Sequence, residues 1–324
     1  MIDKMKSKGV LSKYSLLGLS WTSSYNSTNG IKVKYSIPSR ANVNGLLYLT
    51  VRENSRILDL SGNLRKWWFG DNAFSDFSYG EYLKCMKSLA RVLDADIVEL
   101  LDFKIRMIEL GVNVRMHRKY AKIIPAMKSF PRLTRRELIN GETVKFNGEK
   151  QIQIVYDKLT EVGKRQLTKK PKKNLKKLTE NNFVLRYENV IKSRSGVKIR
   201  NEISTFLMIM DNWNFIADYI IEQFHKIEVV EDYLCVKDKE LVDMNYVQIR
   251  DLFLFLFMEK YTIVEVEKLI NKIGNKHRSD YKKKFRGIYT KHLLKENNEI
   301  KSVVSNELVK RVVALKKHKS IKSI

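Results

Sequence analysis

The sequence predicts an α+β fold: an N-terminal domain with an antiparallel sheet and helices on one face of it, followed by a helical C-terminal domain. In the first part of the chain, several short stretches carry apolar residues at every second position, as half-buried strands do. From Ile203 onward the apolar residues recur at helical spacing. Strands with few helices, followed by helices alone, are typical of this class. We place the boundary near residue 198, giving domains at 1–197 and 198–324.

Each element follows from a local pattern. Residues 1–40 are polar with scattered apolar side chains, and only their last part alternates as a strand does. Period-two stretches predict strands at 31–37, 44–51, 103–116, 152–156 and 182–191, with 144–147 forming a hairpin with the fourth of these. Helical spacing predicts helices at 78–93, 121–127, 132–138, 203–224, 247–260, 259–273 and 279–294. The last two resemble a helix–turn–helix with a basic second helix, although most helix hairpins do not bind DNA.

The charge balance indicates a polyanionic partner. The chain has 62 Lys and Arg against 36 Asp and Glu, a net charge of +26, and nucleic acid is the commonest partner of such proteins. A membrane surface is the alternative, but no apolar stretch approaches a spanning length. Two cysteines exclude a disulfide framework and a cysteine-rich zinc site, and the N-terminus lacks the apolar core of a secretion signal. We therefore expect an intracellular protein.

A candidate nucleophile lies in the segment I-Q-I-V-Y-D-K-L-T-E at residues 152–161. Alternation places Ile154 and Tyr156 on one face, so the phenol projects where the strand ends. Lys158 and Glu161 follow closely, and a phenol in this setting could attack a phosphodiester while the lysine holds charge on the phosphate. The alternative is a strand-end tyrosine that packs on the core beside two solvated charges.

A candidate metal ligand lies in the strand predicted at 103–116. Glu109 and Asn113 share one face of it with core-facing residues, and a buried acid needs a cation or another partner. The functional interpretation is a metal ligand on the floor of the sheet, with Asn113 or His117 near it. The alternative is a salt bridge to a neighbouring lysine or arginine.

Two regions are candidates for DNA contact. The basic run at 163–177 is too charged for a core element, and we interpret it as an exposed connector over DNA phosphates, with a solvated linker as the alternative. Trp67 and Trp68 stand beside two basic residues, so they are candidates for stacking on unpaired nucleotides, with core packing an equal alternative. The candidates in the basic run are Lys164, Arg165, Lys169, Lys170, Lys172 and Lys173.

Four stretches between residues 40 and 195 carry a resemblance to one family. They are L-T-V-R-E-N-S-R-I-L running on to F-G-D-N-A-F (49–74), R-M-I-E-L-G-V-N (106–113), I-V-Y-D-K-L-T-E (154–161) and F-V-L-R-Y-E-N-V-I (183–191). In order and rough spacing they resemble segments of the replication initiation proteins of filamentous phages and related plasmids, the gene II/X family. The third is similar to that family's Tyr-x-Lys-x-x-Glu nucleophile segment. The C-terminal third is similar only in being helical and basic.

The resemblance implies an HUH-like nickase domain that starts rolling-circle replication. Tyr156 would attack one phosphodiester at a phage or plasmid origin, which gives a 5′-phosphotyrosine link and a 3′-OH primer. The reverse reaction would later rejoin the displaced strand, without ATP, in agreement with the lack of a G-x-x-x-x-G-K-S/T phosphate loop. Implied partners are origin DNA and a host helicase and polymerase in the bacterial cytoplasm.

The resemblance also implies residue roles and a cofactor, Mg²⁺ or Mn²⁺. The ligand candidates are Glu109, Glu161 and His117, while Lys158 would neutralise phosphate charge. Either Glu161 or Glu188 would order Lys158 or complete the metal shell. Asn113 would help to orient the site, and Arg186 would contact DNA.

Some features of the sequence leave other interpretations open. The wider nickase superfamily binds its metal with two histidines at alternating strand positions, and no histidines are so placed here. A non-catalytic DNA-binding protein, such as a repressor or packaging factor, would use the basic run and the C-terminal helices and would need no nucleophile. A plasmid mobilisation relaxase would share the chemistry and differ in its DNA site. Tyr187 is a further tyrosine, and the sequence leaves open whether it takes part in rejoining the strand.

Overall fold

The computed structural model describes residues 1–27, 30–39, 45–52, 56–70, 74–138, 142–166, 181–192, 199, 201–229, 245–261, 263–272, 278–293 and 299–317. Its main feature is a ten-stranded antiparallel sheet in the order β2-β3-β4-β5-β1-β6-β11-β10-β9-β8. The strands are β1 Ile2–Val10, β2 Ser20–Ser27, β3 Gly30–Ile37, β4 Leu47–Arg52, β5 Ile57–Asn63, β6 Lys104–His117, β7 Met127–Ser129, β8 Thr134–Leu138, β9 Thr143–Asn147, β10 Gln151–Asp157, β11 Asn182–Ile191 and β12 Glu228–Val229. The two short strands β7 and β12 pair separately.

The described helices lie mainly in the C-terminal part. They are α1 Leu64–Phe69, α2 Tyr79–Val92, α3 Ile97–Leu101, α4 Ile123–Ala126, α5 Lys158–Gln166, α6 Phe206–Asp211, α7 Trp213–His225, α8 Tyr246–Tyr261, α9 Ile263–Lys272, α10 Arg278–Leu293 and α11 Glu299–Ala314, with a 3₁₀ turn at Arg118–Lys122. The predicted α+β class is confirmed. No helix in the described part of the chain is both long and apolar enough to cross a membrane.

The N-terminal strand β1 occupies the middle of the sheet, between β5 and β6. This strand is not among those predicted from the sequence, although Lys4, Lys6 and Lys8 alternate with the buried Met5 and Ser7. That period-two pattern was a strand signal of the same kind as the others. Because β1 is central in the sheet, its first residues are buried.

Most of the other predicted elements are found. The strands at 31–37, 44–51, 103–116 and 182–191, the hairpin of β9 with β10, and the helix α2 are confirmed. The helix predicted at 132–138 is wrong, because these residues form the edge strand β8, which pairs with β9. Residues 121–127 contain only a 3₁₀ turn and the short α4, and the helix predicted at 203–224 is divided at Asn212. At 132–138 the local helical spacing is outweighed by strand pairing, which depends on residues elsewhere in the chain.

The C-terminal helices pack in two groups. Buried residues on α6, α7 and α11, among them Phe206, Phe224 and Leu308, belong to the same core as the sheet. A second, smaller cluster joins α8, α9 and α10 through Met258, Val266, Ile270 and Ile288. The boundary near residue 198 stays a prediction.

Candidate active site

Three residues on neighbouring strands form a row across the sheet. Tyr156 on β10 is paired with Arg186 on β11, which is paired with Asn113 on β6. Since adjacent strands lie about 4.8 Å apart, the Cα atoms of Tyr156 and Asn113 are separated by roughly 10 Å. Glu188, two residues from Arg186, lies on the same face, and this part of the sheet carries the candidate site.

The Tyr156 hydroxyl lies between a carboxylate and an ammonium group. It donates a hydrogen bond to Glu188 Oε1 at 2.8 Å, and Lys158 Nζ donates to it at 3.4 Å. Lys158 Nζ also lies 2.6 Å from Glu161 Oε2. Burial, and then the nearby Glu188 charge, raise the pKa of Tyr156. The phenol therefore keeps its proton unless an acceptor takes it.

The turn from β10 into α5 positions Lys158. Asp157 ends the strand and accepts from Leu159 N at 3.0 Å and from Thr160 Oγ1 at 2.6 Å, as a helix N-cap residue does. Arg118 also binds Asp157. Lys158 is the first residue of α5, and burial lowers its pKa.

Three buried carboxylates, which we call the carboxylate cluster, lie beside Tyr156. They belong to Asp3, Glu109 and Glu188, and one oxygen of each lies within 4.8 Å of the others. A bulge brings β1 into this cluster, since Asp3 and Lys4 together face Glu109 where the register with β6 shifts. The cluster therefore joins three neighbouring strands.

Arg186 holds the acids together from the centre. It is completely buried, and its guanidinium donates to Asp3, to Asp76 Oδ1 at 2.8 Å and to Glu188 Oε1 at 3.1 Å. Burial alone would lower the pKa of Arg186, but the three acids raise it well above its usual value. Asp3 also accepts from Arg65, and although burial opposes it, the two guanidinium groups hold the pKa of Asp3 well below its usual range.

Glu109 is the least compensated acid of the cluster. Lys4 Nζ lies 3.1 Å from its Oε2, while Oε1 is buried with no hydrogen-bond partner among the described residues. Burial, and then the charges of Glu188 and Asp3, raise the pKa of Glu109 to about 8. Carboxylate oxygens are the ligands that Mg²⁺ and Mn²⁺ prefer. With a buried, unpaired oxygen on Glu109 and carboxylate oxygens of Asp3 and Glu188 within 4.8 Å, the cluster fits a hard divalent cation.

A comparison with protein-family models places the chain in a family. The model of the N-terminal part of a phage replication-associated protein, the gene II protein, matches residues 4–215, which is more than half of the chain. The chain belongs to this family. The resemblance to phage replication initiation proteins of the gene II family is thereby confirmed. No curated protein matches the chain.

The match to the replication-associated family includes most of the site. Glu109, Tyr156, Arg186 and Glu188 all lie within residues 4–215. The helix α11 lies outside it, yet Arg311 NH2 on that helix donates to Asp76 Oδ2 at 3.3 Å. In this member of the family, a C-terminal helix thus contacts the ion-pair network.

Two predicted metal ligands lie apart from the carboxylate cluster. His117 is exposed at the end of β6, eight residues or about 26 Å along the strand from Glu109, and its Nδ1 accepts from Lys119 N at 3.1 Å. The His117 prediction is corrected, because the strand extends away from the acids. Glu161 binds Lys158 and is not one of the three clustered acids. Its expected role in ordering Lys158 agrees with this contact.

Several predicted DNA-contacting side chains are buried. Arg186 has no exposed surface, so its expected DNA contact is replaced by the ion pairs with the acids. Trp67 and Trp68 are 1% and 8% exposed, and their Nε1 atoms donate to Pro38 O at 2.9 Å and Glu81 Oε2 at 2.8 Å. Stacking on nucleotides is corrected to core packing, since both rings lie in the main core.

The basic run is only partly described. Lys164 and Arg165 belong to helix α5, but their side chains are outside the part of the chain that the structure describes. Lys169, Lys170, Lys172 and Lys173 lie outside the described residues.

The expected orienting residues lie in the network. Asn113 donates to Asp76 through its backbone N at 2.9 Å and through Nδ2 at 3.0 Å. Glu188 contacts both Tyr156 and Arg186. Tyr187 lies on the opposite face, where its hydroxyl donates to Gln153 Oε1 at 2.7 Å and its ring packs on Phe224.

Several contributors to the site, among them Asp3, Lys4, Arg65 and Asp76, are not predicted by any of the sequence patterns. The alternation in residues 4–8 could have revealed β1 and with it Asp3 and Lys4. No local sequence pattern predicts a role for Asp76. It lies outside regular secondary structure, and only the path of the folded chain brings it to the site.

Proposed function

We propose that this phage replication-associated protein nicks one DNA strand through Tyr156 to start rolling-circle replication. The observation that carries the proposal is the Tyr156 hydroxyl, which donates to Glu188 and accepts from Lys158 beside a cluster of buried acids. A nucleophile, its proton acceptor and a cation for the phosphate are the groups that phosphodiester transfer requires.

In the proposed step, Glu188 accepts the phenol proton as Tyr156 Oη attacks phosphorus. The Oη–P bond forms, the P–O3′ bond breaks, and the leaving oxygen takes a proton from solvent water to become the 3′-OH primer. Because the raised pKa of Tyr156 disfavours a free phenolate, proton transfer accompanies attack. Lys158 stabilises the charge that develops on the phosphate oxygens.

Rejoining is the same reaction in reverse. A 3′-OH attacks the 5′-phosphotyrosine and gives its proton to solvent water, the P–Oη bond breaks, and Glu188 returns the proton to Tyr156. The phosphotyrosine link conserves the energy of the phosphodiester, so no nucleoside triphosphate is needed.

We further propose that Asp3, Glu109 and Glu188 hold a divalent cation, Mg²⁺ or Mn²⁺. The unpaired Glu109 Oε1 and the raised pKa of Glu109, which burial and then the neighbouring acids cause, support this assignment, because a bound cation would compensate the buried carboxylate. When bound, such a cation would neutralise charge on the phosphate. Arg186 keeps the three acids close enough to share it.

The proposed substrate is the origin DNA of the chain's own replicon, in the bacterial cytoplasm. The net charge of +26 supports binding to a polyanion. A host helicase and polymerase are the partners that a free 3′-OH at a nick would require.

The test is incubation of the protein with supercoiled DNA of its own replicon, with Mg²⁺ or with EDTA, followed by denaturing gels. We expect a metal-dependent nick with protein on the 5′ end, lost in Tyr156→Phe and retained in Tyr25→Phe, which changes an exposed tyrosine on β2. Tight binding without any nick would favour a non-catalytic DNA-binding protein. Equal nicking by Tyr156→Phe would remove this residue from the chemistry.

A further inference from the structure

A cleft lies between the C-terminal helix α11 and the centre of the sheet. Its volume is about 680 Å³, within the range of roughly 300–1,000 Å³ that holds small organic ligands. The residues that matter for recognition are Phe69, Phe74, Asn113, Arg115, Lys310 and Arg311. We call this the α11 cleft.

Helix α11 forms a fixed wall of the cleft. Val304, Leu308 and Val312 are completely buried in the main core, and Trp213 Nε1 donates to Leu315 O at 2.8 Å, just after the helix ends. This packing holds Arg311 against Asp76. The wall is therefore as rigid as the core it belongs to.

The α11 cleft is linked to the candidate nucleophile by one row of the sheet. Asn113 lines the cleft and lies in the same cross-strand row as Tyr156, with Cα atoms roughly 10 Å apart. The phosphate and base of one nucleotide are separated by a comparable length. A strand whose phosphate reaches Tyr156 would thus carry a neighbouring base to the cleft.

The chemistry of the lining matches an unpaired nucleotide. Two phenylalanine rings offer surfaces for base stacking, which does not depend on sequence. Asn113 Nδ2 is held by Asp76, while Oδ1 is buried and has no hydrogen-bond partner among the described residues, so it can accept from a base edge.

The charges of the cleft favour an anion at Arg115. Asp76, Glu81 and Glu307 also line it, but each accepts from a protein donor. Arg115 is exposed and forms no ion pair within the described ranges. It is the cation best able to bind a phosphate.

From these observations we infer that the α11 cleft binds the single unpaired nucleotide next to the phosphate that Tyr156 attacks. The inference rests on the proposed function, because the proposed attack by Tyr156 sets which phosphate is cut. The C-terminal helix, outside the family match, would thereby contribute to choosing the cleavage site.

Binding is tested first, in protein carrying Tyr156→Phe, so that the result does not depend on cleavage. The probe is a fluorescein-labelled oligothymidylate, followed by anisotropy over a salt series. We expect Phe74→Leu to weaken binding roughly tenfold, and Arg115→Ala to reduce the slope of log affinity against log salt by about 0.7. Arg91→Ala, an exposed arginine on α2, is the matched control. Equal affinities and slopes for the Arg115 and Arg91 variants would overturn the inference.

Position is tested second, with native Tyr156 and origin-strand oligonucleotides that carry one abasic site at each position around the nick. We expect one abasic position next to the cut to slow nicking on the order of tenfold, and that penalty to disappear in Phe74→Leu. A penalty of the same size in both proteins would place the base elsewhere. Circular dichroism confirms that each variant is folded.

Discussion

The guanidinium of Arg186 lies directly against the backbone of Gly111. A Cβ atom at position 111 would come within 2.5 Å of Arg186 NH2 and 2.8 Å of its Cζ. Because Gly111 lies between Glu109 and Asn113 on the same face of β6, the missing side chain leaves the space in which Arg186 reaches the acids.

Gly111→Ala should displace this guanidinium and break the network. Arg186 is buried among three acids and has no room to move, so we expect a loss of roughly 3–5 kcal/mol in the free energy of unfolding and loss of nicking. Urea denaturation measures the first and the plasmid assay the second. Gly80→Ala on α2, where a Cβ meets nothing within 4 Å, should be neutral or stabilising. Unchanged stability in Gly111→Ala would contradict this account.

Glu109 should make stability depend on pH in the metal-free protein. Its folded pKa of about 8 lies above the ordinary value of 4.5, so the folded state holds a proton that the unfolded state has lost. Stability is therefore expected to fall, by a few kcal/mol, as the pH rises from about 4.5 to about 8. Thermal unfolding from pH 5 to 9 in EDTA measures it. Glu109→Gln should flatten the profile, and an identical profile in both proteins would show that Glu109 titrates normally.

The carboxylate cluster should bind Mn²⁺ without DNA. Titration calorimetry is expected to show one site, abolished in Asp3→Asn and retained in His117→Ala, because His117 lies at the far end of β6. Since Glu109 must lose its proton, binding should release protons near neutral pH. Retention of full affinity in Asp3→Asn would exclude this cluster.

The basic run should contribute to DNA affinity. Replacing Lys169, Lys170, Lys172 and Lys173 with glutamine should weaken binding and reduce the slope of log affinity against log salt by about 0.9 for each lost contact with duplex phosphate. Nicking at saturating protein should persist, since Tyr156 is untouched. A slope equal to that of the wild-type protein would mean that this run does not touch phosphate.

Local patterns in the sequence predicted the faces of several strands correctly. Alternation alone placed Glu109 with Asn113, and Tyr156 at a strand end beside Lys158. It could not predict that Arg186 would be buried, because the alternation looks the same whether a charged side chain meets solvent or acids. The two tryptophans show the same limit, as their basic neighbours suggested a DNA surface while the rings lie in the core.

By itself, the sequence determined the α+β class, the basic character, the family and the segment that carries Tyr156. Only the tertiary structure decided that β1 lies between β5 and β6, which brings Asp3 to Glu109, and that α11 brings Arg311 to Asp76. The reason is physical. Which face of a strand a side chain occupies is set by the period of two along its own backbone. Which strands become neighbours, and in what register, is set by hydrogen bonds and packing between residues far apart in the chain.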